Sequence, residues 1–215
     1  MLRLGKKRKQ KMILSNVEIH DAIDKKRLII KPEPSPRTMG VAGGHCPYNT
    51  HSVDLRLSPE IVIPTTGKFS YDMVQAGNLA QLIKAHSQTL KLTADQPFIL
   101  EPGRFVLGKT LEWIELPITA NCEACLAARI EGKSSFARLG MLVHFTAPTV
   151  HPDFEGTLTL EMINLGPASI ILRPDMYIAQ LIVEEVKGCP NRNPSQFQGQ
   201  RDAVGVIGGE VARAS

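Results

Sequence analysis

Long apolar runs are missing from this sequence. Nothing in it approaches the ~18 consecutive apolar residues that a membrane helix needs, and the opening MLRLGKKRKQKMILS lacks the apolar centre of a secretory signal. A cytoplasmic protein with no membrane partner is expected. Cysteine is scarce as well, at four in 215 residues, which is too few for a disulfide scaffold and leaves reduced thiols as the expectation. Acid is absent from residues 1–12, where six Lys or Arg gather; removing them from the 25 basic residues leaves 19 against 21 acidic, or −2 for the rest. The net charge of +4 is therefore a property of a tail, and no specific nucleic-acid partner is expected. A short cationic run binds polyanions without specificity. Residues 1–11 read as a basic, disordered leader, with Met12 opening an ordinary domain sequence, MILSNVEIHDAIDKKRLII.

Zinc chemistry lacks its motifs too. Cys122 and Cys125 form a CxxC and His45 adjoins Cys46, yet no second CxxC or paired-His motif accompanies them to complete four ligands. The zinc deaminases carry an HxE and a later PCxxC. Here Asn121 precedes Cys122, and no His is followed two places on by Glu.

What is present is a chain 43% hydrophobic and 21% charged, the balance of a single globular domain. Ser15 with Glu18 three residues later is a capping-box signature, and Val17, Ala22 and Ile23 supply an apolar helical face, so one short helix starts the domain. KPEPSPRT and GVAGGHCPYN, rich in proline and glycine, read as loop. Residues 72–86 are compatible with a second helix. From Phe98 the pattern turns to short β-rich segments, each bounded by Pro, Gly or Asn: FILEP, RFVLGKTLEWIEL, CLAARI, MLVHFTA, GTLTLEMI, ASIIL and YIAQLIVEEV. A mainly β sandwich or barrel is expected. After Gly188 the chain becomes polar and Gln-rich and reads as a mobile C-terminal segment able to order on a ligand.

Within GTLTLEMINLG, alternation puts Thr157, Thr159 and Glu161 on one face of a strand and Leu158, Leu160 and Met162 on the other. Glu is a poor strand former and costly to bury unpaired, so Glu161 requires either solvent or a polar cavity. The stretch EGKSSFARLG raises a related question, because its Lys133, Ser134, Ser135 and Arg138 stand at the mouth of an apolar segment.

These blocks together resemble the dCTP deaminase branch of the dUTPase superfamily. The resemblance runs from MILSNVEI through HSVDLRL, EGKSSFARLGMLVHFTA, HPDFEGTLTLEMIN and RPDMYIAQL to FQGQR, from Met12 to about Arg201. It implies a dUTPase-like distorted β-barrel or jelly roll with a short N-terminal helix, assembled as a homotrimer whose sites form between subunits. The domain would span residues 12–188, with 189–215 as a nucleotide-covering segment and tail. It implies hydrolytic deamination of dCTP to dUTP, with Mg2+ entering through the triphosphate, no zinc, and dTTP as an inhibitor. Glu161 is then the proton carrier, Ser134 and Arg138 orient water and stabilise charge at carbon 4 of the base, and the backbone of Ala147 reads the base edge. Lys133, Ser135, Phe136 and Ala137 would approach the triphosphate, and His151, Thr159, Leu160, Gln180 and Gln200 would complete the nucleotide site.

The pattern departs in places. Lys133 stands where the family usually has Arg, keeping charge without the bidentate fork. His151 stands where the family has the Asp that contacts deoxyribose and activates water in dUTP hydrolysis, so added hydrolysis is disfavoured unless Asp153 substitutes. Asp175 replaces a turn Gly, a position where Asp tolerates left-handed backbone. Two other readings are a bifunctional enzyme giving dUMP and a nucleotide-binding regulatory homologue without turnover. His144 is expected as a packed or hydrogen-bonded strand residue, Trp113 as core, and Asp54 as a turn or subunit contact. His20, His51 and His86 show no partner in the sequence.

Overall fold

A computed structural model describes residues 13–40, 44–71, 79–118, 125–193 and 195–206. The chain opens with helix α1 (Asn16–Asp24). Ser15 caps it reciprocally: its hydroxyl accepts from the Glu18 N–H at 3.4 Å, and the Glu18 carboxylate accepts from the Ser15 N–H at 3.3 Å. Ile19 and Ala22 are fully buried, whereas Val17 is 72% exposed. Its position two residues before Ile19 turns it away from the core, so it does not belong to the expected apolar face.

Twelve strands and two further helices follow in the order β1 (Ile29–Lys31), β2 (Val53–Arg56), β3 (Glu60–Pro64), α2 (Leu79–Ala85), β4 (Ser87–Lys91), β5 (Phe98–Leu100), β6 (Phe105–Glu115), β7 (Leu126–Gly132), α3 (Ser134–Ala137), β8 (Met141–Val143), β9 (Thr149–Val150), β10 (Glu155–Asn164), β11 (Ile170–Leu172) and β12 (Tyr177–Glu185). One sheet has the order β4-β3-β6-β10-β8, with β1 also on β6; a second runs β2-β12-β7-β9; β11 and β5 form a small ribbon. All these pairs are antiparallel. The expected mainly β fold holds; among the described residues the strands form three sheets and no closed barrel, so of the two expected forms it is the open, layered one. Strands also begin well before Phe98. The early ones are short, and β2 is buried along Val53, Asp54 and Leu55, so it shows no alternation to read. The second helix is confirmed over Leu79–Ala85; residues 72–78 of that expectation lie outside the described residues.

The core lies between the two large sheets. Leu55, Leu126, Ile130, Leu181 and Val183 from one pack in a single cluster with Ile114, Leu158, Leu160 and Met162 from the other. Each such side chain contributes roughly 1.5–3 kcal/mol on burial. An ion pair is buried near them. The fully buried Glu112 accepts from the Arg56 backbone N–H at 2.9 Å and from its Nε at 2.7 Å. Burial pushes the Glu112 carboxyl above its ordinary range, although its hydrogen bonds from Arg56 act the other way.

Two turns need unusual backbone. Gly140 has φ +87°, and a Cβ there would sit 2.4 Å from the Gly166 nitrogen, so glycine lets the chain pass from α3 into β8. Asp175 has φ +63°, as its place in the turn before β12 requires. Trp113 is half-buried on the outward face of β6, under the Arg201 guanidinium at 4.9 Å, and is therefore not core. Cys46 and Cys125 are free. Cys189 is disulfide-bonded, against the expectation of reduced thiols throughout.

Candidate active site

Strand β10 carries the alternation expected of it: Leu158, Leu160 and Met162 enter the core while Thr157, Thr159 and Glu161 face outward. Thr159 and Glu161 of that face, with Leu158, form one wall of a cavity of about 360 Å3. His144, Ala147, His151 and Asp153 supply a second wall, Leu79 and Ile83 of α2 a third, and Phe197, Gln200, Ala203 and Val204 close it. Its lining is mixed, with apolar side chains around a few convergent polar groups, the usual make-up of a small-molecule site.

Glu161 sits in this cavity with its side chain 35% exposed, bonded to a histidine that is only 10% exposed. His144 Nδ1 lies 2.6 Å from Glu161 Oε2 and 3.1 Å from the Thr159 carbonyl, and Nε2 lies 2.7 Å from the Ala147 carbonyl. Two carbonyls and a carboxylate can only accept, so the surroundings of both ring nitrogens favour the protonated ring. Burial acts to lower the His144 pKa. The hydrogen bond and charge of Glu161, with the two carbonyls, outweigh it and hold the pKa above the ordinary imidazole value. His144 is not a strand residue: it follows β8 with φ +57°, and its N–H bonds the Glu161 carbonyl at 2.9 Å. That left-handed turn brings the ring back over β10.

The C-terminal segment is docked on the same strand. The Thr157 N–H donates to the Gln200 carbonyl at 3.0 Å, the Gly199 N–H to Glu155 at 2.8 Å, and Gln200 Nε2 to the Thr157 carbonyl at 2.6 Å. The Thr159 hydroxyl donates to Ala203 at 3.2 Å, while Ala203 and Val204 bury against Val62, Ala80 and Leu107. A polar, Gln-rich composition suggested mobility; backbone pairing to β10 overrides it.

A second group of expected residues lies elsewhere. Lys133 is the N-cap of α3, and its carbonyl accepts from the Phe136 and Ala137 N–H groups. Ser134, Ser135, Ala137 and Arg138 are exposed and Phe136 half-buried, and none of the six lines the cavity. Gln180 stands in β12, where its Nε2 donates to Asp54 at 3.0 Å. Asp54 is not in a turn. It is a buried residue of β2 that also binds Lys133. One chain thus unites Glu161, Ala147, His151, Thr159 and Gln200, and separately Lys133 with Gln180. The Leu160 side chain points into the core, leaving only its backbone toward the cavity strand.

Sequence reasoning missed His144 and Asp54 as members of these groups. The register of β8 on β10, Val143 opposite Met162, and of β2 on β12, Asp54 opposite Gln180, is what places them. The other histidines have local partners: His20 packs edge-on to Tyr48 with its Nε2 buried and unbonded, His51 bonds Thr50, and His86 stacks on Phe69. Among the described residues no three His, Cys, Asp or Glu side chains gather as a metal-holding group, and no helix is long and apolar enough to cross a membrane. Cys122, half of the CxxC, lies outside the described residues.

The sequence and fold match known proteins. A family model described as dCTP deaminase-like matches residues 13–186. The dCTP deaminase of Rhodospirillum rubrum is 34% identical over 175 residues, which cover 80% of this chain and 82% of that one. The dUMP-forming dCTP deaminase of Parafrankia sp. is 38% identical over 159 residues, covering 70% and 72%. A solved structure, 2'-deoxycytidine 5'-triphosphate deaminase from Agrobacterium tumefaciens, superposes with a TM-score of 0.57 at 18% identity, covering 82% of this chain and 49% of that one. This chain therefore spans about half of that protein's length, and the likeness speaks for the fold.

Proposed function

Because the chain belongs to the dCTP deaminase-like family, we propose that it hydrolyses dCTP to dUTP and ammonia. The observation that carries this is Glu161, a carboxylate on an outward strand face at the wall of a cavity. In this reading water adds to carbon 4 of the cytosine ring, and Glu161 takes a proton from that water and returns protons to the ring nitrogen and the departing amine. The overall change is dCTP plus water to dUTP plus ammonia. His144 holds the carboxylate in place from one side, and the Ala147 backbone lies at the base edge. Thr159, the Leu160 backbone and Gln200 hold the nucleotide, with His151 beside the sugar and residues 189–215 as the covering segment. Mg2+ arrives as part of the substrate, bound to its triphosphate. dTTP, which shares the sugar and triphosphate, competes for the same site.

The reaction also needs the groups of α3. Ser134 and Arg138 orient the water and stabilise developing charge, while Lys133, Ser135, Phe136 and Ala137 meet the triphosphate. Since α3 stands apart from the cavity within one chain, a neighbouring copy supplies it in a homotrimer. The exposed apolar side chains of Leu139, Leu142, Phe145 and Leu165 around α3 and β8 support a subunit surface there. Such an enzyme works in the cytoplasm.

A bifunctional reading, with dUMP and pyrophosphate as further products, is favoured by one observation: Asp153 lines the cavity beside His151, where its carboxylate could serve a second water. Incubation with dCTP and Mg2+ separates the readings. Ammonia alone supports deamination, ammonia with pyrophosphate supports the bifunctional enzyme, and neither product despite dCTP binding overturns both in favour of a binding protein.

A further inference from the structure

Asp54 is 1% exposed, and four donors from separate places in the chain converge on it. Asn49 Nδ2 and Gln180 Nε2 donate to Oδ1 at 2.9 and 3.0 Å. The Lys133 ammonium and His45 Nε2, the latter at 3.3 Å, approach Oδ2. Strand pairing brings them together. Asp54 stands opposite Gln180 in the β2–β12 ladder, and Ala179 stands opposite Gly132, the residue before Lys133, in the β12–β7 ladder. The Tyr177 ring completes the setting, 5.9 Å from the Lys133 ammonium and 4.2 Å from the His45 ring.

We infer that Asp54 is a positioning residue for nucleotide binding, a buried carboxylate that fixes the direction of Lys133 and Gln180 toward the polyphosphate end of the substrate. The inference rests on the reading above that these two side chains contact the nucleotide. A lysine carries a compact charge on a flexible four-carbon stem and cannot grip phosphate with a planar fork as arginine does. Tethering its ammonium removes freedom that binding would otherwise have to remove, which is the gain of a preorganised site. Asp54 has an opposing effect, because its charge offsets that of Lys133 and weakens general attraction for anions. The two effects separate by ligand. A free tripolyphosphate ion responds mainly to charge, whereas dCTP, held also by base and sugar, responds to alignment.

The test is a double-mutant cycle on the full-length protein, read as the Kd for dCTP and for tripolyphosphate by calorimetry, with Tm and trimer state measured alongside. Asp54→Asn keeps an acceptor for Asn49 or Gln180 but withdraws the charge from Lys133. It is expected to weaken dCTP about tenfold, the scale of coupling between contacting residues, without weakening tripolyphosphate. In the Lys133→Met background the same change should have no further effect on dCTP. Asn49→Ala loosens Asp54 without removing its charge, so it reports even if Asp54→Asn fails to fold. It should weaken dCTP about threefold with Lys133 present and not without it. Tighter dCTP binding in Asp54→Asn, or equal losses in both backgrounds for either variant, overturns the inference. A parent protein that binds no dCTP overturns the functional reading and the inference with it; a parent that binds and deaminates dCTP while the cycle is additive overturns the inference alone.

Discussion

Replacing Glu161 by Gln changes one atom of a side chain that the structure bonds to His144, so chemistry and folding can be separated. The amide oxygen still accepts from His144 Nδ1, where the carboxylate now lies 2.6 Å away, but no side chain at 161 can then take a proton from water. General acid–base groups contribute on the order of 10²–10⁴ in rate, so ammonia release should fall by at least about a hundredfold. The structural cost is smaller. A hydrogen bond to a charged group is worth about 1.5–3 kcal/mol and a neutral one about 0.5–1.5. The difference of roughly 1 kcal/mol is reduced further because the Glu161 side chain is 35% exposed. For a chain of this size that is a Tm loss of at most about 2–4 °C.

A second readout follows from His144. Its pKa is raised in the folded protein chiefly because Glu161 offsets the effect of burial. A group whose pKa is raised on folding contributes stability that is fully present below its unfolded value, about 6.5 for histidine, and that is lost as pH rises through the folded value. Glu161→Gln removes that contribution, so its Tm should depend less on pH across this window than the parent's. Ammonia assays with dCTP and Mg2+, circular dichroism melts across the window and size-exclusion chromatography give all the quantities. More than about one-tenth of the parent turnover in a folded variant, or superimposable Tm profiles, refutes the reasoning.

Arg56→Met leaves the fully buried Glu112 carboxylate without its partner and should lower stability by about 3–5 kcal/mol, measured by urea unfolding. A loss below about 1 kcal/mol would show that Glu112 is protonated or hydrated instead. Truncation before Asn191 removes the segment that closes the cavity and should raise the KM for dCTP severalfold. Since Ala203, Val204 and Gln200 are buried, a modest Tm loss accompanies it; an unchanged KM would remove Gln200 from the site. His151→Asp should tighten dCTP binding and admit some pyrophosphate release, because a carboxylate offers two accepting oxygens to a sugar hydroxyl where a neutral imidazole offers one nitrogen. Weaker binding would mean that the chain has built another sugar contact around His151.

Features that depend on a few neighbouring residues were legible in the sequence. The Ser15–Glu18 cap, the alternation that turns Glu161 outward on β10, and the left-handed turn at Asp175 each follow from spacing or from one residue's tolerance of backbone geometry. The missed features depend on register. Asp54 and Lys133 are 79 residues apart, and the Thr159 carbonyl that His144 bonds is 15 residues away; both associations exist only once particular strands pair. The docked C-terminal segment and the half-buried, outward-facing Trp113 were missed for the same reason, since the Gln200 backbone bridges to Gly156 and Arg201 covers the indole. The open arrangement of the sheets likewise follows from which strands pair, and the strand pattern alone left sandwich and barrel both open. Because strand side chains alternate with period two, a one-residue slip of β12 would turn Gln180 away from Asp54 and expose its buried neighbours Ala179 and Leu181. The apolar residues that fix the register of β12 in the core therefore also fix the polar cluster on its other face, and the binding geometry is secured by packing that touches no ligand.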